Sequence, residues 1–153
     1  MLRTLIAPTL ALCLLPGTGA ASVEDAKAAR VMFTAFECSA YASMMGEDAR
    51  RKQLVDVGVA AGRQFLAALA AGEISEGDLR QHAPFMMGTD TDQPSPDFLI
   101  GRMYDGTFQA MHQKVSSKDK AGTLLPEDQW LYEGDDFEAK AKWHYQTANC
   151  DLL

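Results

Sequence analysis

Residues 31–46, VMFTAFECSAYASMMG, are apolar or small almost without interruption, and they carry one formal charge, Glu37, and one thiol, Cys38. Val31, Ala35, Cys38, Ala42 and Met45 recur at helical spacing, and Met32, Phe36 and Ala40 widen the stripe. A stripe this wide requires burial on more than one side, so the segment predicts a central helix enclosed by others. Gly46 is its natural stop, because glycine accepts the left-handed conformation that closes a helix. Its start is expected near residues 23–25, where Glu24 and Asp25 suit the positive end of the helix dipole.

What precedes this helix sets the compartment. Arg3, a short apolar core over residues 5–15 broken by Pro8, the breaker Pro16-Gly17 and the small residues Gly19-Ala20-Ala21 follow the order of a secretory signal peptide. The apolar run falls well short of the roughly 20 residues a bilayer span needs. Leu12 before Cys13 stands where a lipoprotein signal wants a small residue. Residues 1–21 are therefore expected to be removed near Ala21. That leaves residues 22–153 as a single periplasmic or secreted helical domain, with no stable membrane insertion. This domain carries 13 Lys and Arg against 21 Asp and Glu, a formal charge of −8, and so has no basic footprint for nucleic acid or anionic lipid. Two cysteines remain in it, Cys38 and Cys150, and an even pair in an oxidising compartment predicts a disulfide. Closing so long a loop stabilises by up to about 4.7 kcal/mol through the entropy removed from the unfolded chain.

The rest of the chain reads as further helices. Over 47–71, Leu54, Val57, Ala61, Phe65 and Leu69 form one face. Gly58 and Gly62 each lower helix propensity by about 1 kcal/mol relative to alanine, so their four-residue spacing implies a close packing contact. Gly72 ends that helix. Ser75 and Asp78 form an acidic capping box opening a short helix to about Ala83, curtailed by Pro84. Phe85-Met86-Met87 is expected to dock on the core, and residues 88–96, GTDTDQPSP, read as an irregular loop. Ser95-Pro96-Asp97 is a strong helix start, opening a fourth helix over 96–117. Residues 116–122 read as a polar connector. After Pro126 the pattern is helical again, with Trp130, Phe137, Ala141 and Tyr145 near one face. Gly134-Asp135-Asp136 divides it into a short helix and a longer one to about Ala148. No strand alternation, hairpin signal or internal repeat is present. The predicted fold is all-α: a compact bundle of about five helices, with one disulfide tying the first mature helix to the C-terminus.

Candidate sites follow from polar residues in unexpected places. Glu37 and Arg102 are each the lone charge in an apolar run, 31–46 and 98–104, and burying either alone is expensive. They are predicted to pair across two helices, or to place one charge at a pocket wall. Glu37 as a general acid would need a second carboxylate, and no motif supplies one. Met44-Met45 and Met86-Met87 contain thioethers that suit Cu(I), but adjacent helical residues diverge by about 100° and do not chelate by themselves. His82, His112 and His144 fall on three different helices without zinc-site spacing, which reads as surface histidines. Asp90, Asp92 and Asp97 resemble a calcium loop only until Pro94 and Ser95 occupy the positions that need a ligand and a glycine. No catalytic motif, cofactor fingerprint or metal set is found.

The remaining feature is the acidic cluster Glu133, Asp135, Asp136 and Glu138, with Trp130 and Tyr132 beside it. Its plain reading is a solvated turn; its functional reading is a docking patch for a basic protein partner, with the aromatics as anchors if exposed and Asp90 and Asp92 in the loop as further candidates. The expected function is a small exported non-catalytic protein that binds another macromolecule, as inhibitors, immunity proteins and chaperone-like factors do. A small-ligand or metal carrier, with an interhelical pocket lined by methionine and Tyr41 or Tyr104, is the alternative. A hydrolase built on Glu37 ranks third.

Overall fold

A computed structural model of the chain describes residues 18–84 and 95–153. The apolar core of the expected leader, the docking of Phe85-Met86-Met87, and Asp90 and Asp92 lie outside the described residues. The described chain forms five α-helices: α1 Thr18–Met44, α2 Asp48–Ala70, α3 Glu76–His82, α4 Pro96–Ser117 and α5 Asp135–Thr147. Two short 3₁₀ turns, Glu127–Gln129 and Cys150–Leu152, complete the elements. The described residues contain no strand, only an isolated antiparallel bridge from Lys118 to Leu124.

Helix α1 is the axis, in contact with each of the other four helices. Its small residues make this possible: Ala26, Ala28, Ala29, Ala35, Ala40 and Ala42 are buried on several sides and let neighbouring helices approach closely. Ser39, fully buried, satisfies its hydroxyl by donating to the Phe36 carbonyl at 2.8 Å. Gly46 takes φ +73° as the closing residue, and Glu47 N–H reaches back to the Ala42 carbonyl at 2.9 Å. Two expectations need correction. The helix starts at Thr18, several residues before Glu24 and Asp25. Val31 is 38% exposed, because the buried sector runs through Ala28, Met32 and Ala35 rather than through it.

The paired glycines of α2 serve packing, as their spacing implies, and what comes close is side chains of α1 and, at Gly62, of α4 as well. A Cβ at Gly58 would overlap the Phe36 ring, and one at Gly62 would lie 2.7 Å from Met32 Sδ and 3.0 Å from Ile100 Cγ1. Helix α4 begins where Ser95-Pro96-Asp97 indicates, with the Ser95 hydroxyl accepting Phe98 N–H at 3.2 Å. Its C-terminal carbonyls are satisfied by the chain folding back. Leu125 N–H donates to Ser117 O at 2.8 Å and Leu131 N–H to Ser116 O at 2.9 Å. The short helix expected after Pro126 is a single 3₁₀ turn. Gly134, at φ +89°, then redirects the chain into α5.

The core has two clusters along α1. One holds Met32, Phe36, Phe65 and Ile100; the other holds Tyr41, Leu54, Val115, Phe137, Ala141 and Tyr145 around the disulfide. Cys38 and Cys150 are bonded, with 5.5 Å between Cα atoms, and both are fully buried. Arg50 holds the same tail by a second means: Nη2 donates to Cys150 O at 2.8 Å and Nε to the Tyr145 hydroxyl at 3.0 Å. No helix among the described residues is long and apolar enough to cross a membrane.

Candidate functional site

The fold-back of residues 118–134 over the end of α4 creates the most distinctive surface. Asp119 shapes the turn, its carboxylate accepting Ala121 N–H at 2.9 Å and Thr123 N–H at 2.8 Å. Trp130 Nε1 donates to the Leu125 carbonyl at 2.8 Å, which fixes the indole against the loop that precedes it. Between this loop and α4 lies a groove of about 300 Å³ lined by Phe108, His112, Ser116, Trp130 and Tyr132. Tyr132 is 62% exposed with its ring centroid 6.4 Å from that of Trp130. Trp130 is half-buried and serves as the wall, while Tyr132 projects from it.

The segment that supplies Trp130 and Tyr132 is acidic in sequence. Residues 121–139 contain six acids, Glu127, Asp128, Glu133, Asp135, Asp136 and Glu138, and no Lys, Arg or His. Asp135 and Asp136 are exposed in the first turn of α5, where the helix dipole favours them. Trp130 and Tyr132 line this groove, whereas Asp135 lines a separate shallow depression with Glu47, Glu138 and Lys142.

A second constellation lies inside the bundle. The Tyr41 hydroxyl sits 2.9 Å from Glu37 Oε1 and 3.0 Å from Met111 Sδ, and its proton goes to the carboxylate, the stronger acceptor. Lys114 Nζ donates to the Tyr41 oxygen at 3.1 Å and to Glu37 Oε1 at 3.4 Å. Burial first, then the Glu37 carboxylate, push the Tyr41 phenol well above its ordinary range, so it stays protonated. Glu37 therefore pairs with Lys114. Arg102 is exposed on α4, two residues and roughly 200° from the inward-facing Tyr104, and so is not a buried charge. An apolar run with one charge does not bury that charge when the helix is covered on one side only. With its carboxylate engaged by a phenol and an ammonium, Glu37 links α1 to α4.

His144 overturns the surface reading of the histidines. It is 5% exposed and stacks nearly parallel to Tyr41, with ring centroids 5.5 Å apart. Its buried Nε2 has no hydrogen-bond partner among the described residues. Burial first, then the Lys114 and Lys140 ammonium groups, drive its pKa down to about 4, against a smaller opposing pull from Glu37. The imidazole is thus neutral at pH 7 and acts as a flat core aromatic. The signal was in the sequence: Phe137, Ala141, His144 and Tyr145 follow the i, i+4, i+7, i+8 pattern of one helix face.

A third feature is an apolar groove of about 310 Å³ between α2 and α4, floored by Phe36 and lined by Val55, Val59, Ile100 and Tyr104. Arg63 and Asp97 close one end with a two-point ion pair, Nε to Oδ1 at 2.8 Å and Nη2 to Oδ2 at 3.0 Å. Among the described residues no three His, Cys, Asp or Glu side chains gather to hold a metal ion. No family model, curated protein or solved structure matches the chain.

Proposed function

We propose that the protein is exported, loses residues 1–21, and acts outside the cytoplasm as a non-catalytic domain that binds a basic segment of a protein partner. The observation that carries this reading is Tyr132, exposed beside the walled-in Trp130 at the mouth of an apolar groove, within a stretch of six acids and no bases. Aromatic anchors with a polar tip are the residues that dominate protein interfaces, and a one-signed segment selects and steers an oppositely charged partner. The buried disulfide supports an oxidising destination. Its role is structural, since neither sulfur is open to solvent.

The test is capture from an envelope extract. Wild-type protein and the variants Tyr132→Ala and Asp135→Lys/Asp136→Lys serve as baits at low and high salt. The reading predicts a partner retained by wild type, lost from both variants and weakened by salt. The same proteins recovered on all three baits would refute it.

The α2–α4 groove favours a second reading, a carrier of a small apolar ligand with an anionic end that competes with Asp97 for Arg63. Protein taken from its own envelope would then retain that ligand in native mass spectrometry, and would lose it in Val59→Glu.

A further inference from the structure

Ser22 is the most firmly held polar residue at the start of α1. It is 5% exposed, although Ala21 before it is open to solvent. Its hydroxyl donates to Asp78 Oδ2 at 2.7 Å and accepts Ser75 N–H at 2.9 Å. In a capping box the carboxylate three residues into a helix takes the N-cap N–H directly. In α3 the Ser75 hydroxyl plays its usual part, accepting Asp78 N–H at 3.1 Å, but Ser22 takes the Ser75 N–H and passes the hydrogen bond on to Asp78. Ser75 Oγ also donates to Oδ2, at 2.6 Å. Both hydroxyl donors converge on that oxygen, and no described side chain donates to Oδ1. The two serines, with His82 contributing last, hold the Asp78 carboxyl below its usual range, so it is ionised.

Ser22's nitrogen is joined to its hydroxyl through Cα and Cβ alone, and that hydroxyl lies 2.7 Å from Asp78 Oδ2, so the carboxylate is at most about 6 Å from the nitrogen. We propose that export hydrolyses the peptide bond between Ala21 and Ser22, and that Asp78 captures the ammonium exposed on Ser22, making the finished N-terminus part of the joint between α1 and α3. The step is a hydrolysis by a signal-peptidase-class enzyme and consumes one water. The oxygen of that water completes the carboxylate left on Ala21. The freed amine of Ser22 keeps one proton from the water and takes up another from solvent, which receives the proton released as the Ala21 carboxyl ionises. A bare ammonium at a helix N-terminus is opposed by the positive end of the helix dipole, and a docked carboxylate offsets that opposition. The inference rests on the export reading above but fixes the cleaved bond and the partner of the new charge.

The test uses the full chain with its own leader, produced in an exporting host. Intact mass and N-terminal sequencing identify the mature terminus, and the pH dependence of its acylation gives the α-amino pKa. The expected terminus is Ser22, with an α-amino pKa above the ordinary range of about 7.7–8.0. Asp78→Asn should lower that value by about one unit, and Ser75→Ala, which keeps the carboxylate, should leave it raised. A mature chain beginning at another residue overturns the inference, as does an α-amino value unmoved by Asp78→Asn. If Asp78→Asn does not fold, the wild-type value decides: at or below the ordinary range, the capture is wrong. An uncut chain in the envelope defeats the export reading as well, whereas a cut elsewhere defeats this inference and shifts the leader's boundary but leaves export standing.

Discussion

Replacing the helical glycines by alanine, one at a time, separates packing from propensity. Each change gains about 1 kcal/mol of helix propensity and unfolded-state restriction if the new methyl meets nothing. Gly101 and Gly106 in α4 have no atom within 4 Å of a Cβ, so alanine at either should stabilise by about 0.5–1 kcal/mol. At Gly58 the methyl would sit 2.6 Å from Cδ1 of Phe36, a ring that is fully buried and braced edge-on by Tyr104 with centroids 5.4 Å apart. Overpacking of this kind costs about 1–3 kcal/mol, which outweighs the propensity gain, so Gly58→Ala should lose up to about 2 kcal/mol. Gly62 is intermediate, because Met32 Sδ at 2.7 Å belongs to a flexible chain that can swing aside. Urea unfolding of the oxidised protein should rank the variants Gly101→Ala and Gly106→Ala above wild type, then Gly62→Ala, then Gly58→Ala. Trimming Phe36 to Leu should recover part of the Gly58→Ala loss. Gly58→Ala as stable as Gly101→Ala would refute the claim that α2 closes on α1 through these glycines.

Three further outcomes are expected. Because the folded pKa of His144 lies near 4, below its ordinary 6.5, its contribution to stability is complete above pH 6.5 and is lost as pH falls toward 4. The loss at pH 5 is about 2 kcal/mol, and His144→Phe should flatten the slope of unfolding free energy between pH 7 and 5; an unchanged slope would contradict the buried neutral imidazole. Cys150→Ser should cost about 2–5 kcal/mol, and Arg50→Ala should cost more in that background than in the oxidised protein, since Arg50 then holds the tail alone. A double-mutant cycle of Glu37→Gln with Lys114→Met should give a coupling of about 0.5–1 kcal/mol, modest because both side chains are part-exposed; no coupling would remove their assigned role in joining α1 to α4.

What the sequence revealed was local. Ser95-Pro96-Asp97 marked the start of α4 and Gly46 the end of α1, because each signal is a backbone requirement met by neighbouring residues. The disulfide was legible because only two of the three thiols lie outside the expected leader. The partner of Glu37 was not, since Arg102 and Lys114 lie on one helix about 18 Å apart along its axis, and the packing of α4 on α1, not the local sequence, decides which of them reaches Glu37. The start of α1 at Thr18 was hidden because Pro16-Gly17 reads as a breaker and the acids Glu24 and Asp25 read as a helix start farther on. The aromatic groove was half legible. Trp130 and Tyr132 stood out as anchors, but His112 and Phe108 join them only through the fold-back held by Leu125 and Leu131 N–H on the end of α4.

The face that meets a partner can be interrogated in living cells with a photo-crosslinking amino acid placed at position 132 in the fold-back, and at position 101 in the N-terminal half of α4 as the comparison. A discrete, salt-sensitive adduct from position 132 alone, abolished by Asp135→Lys/Asp136→Lys, is the result predicted for a domain that docks through this surface. Adducts of equal yield from both positions, or none from 132, would contradict it.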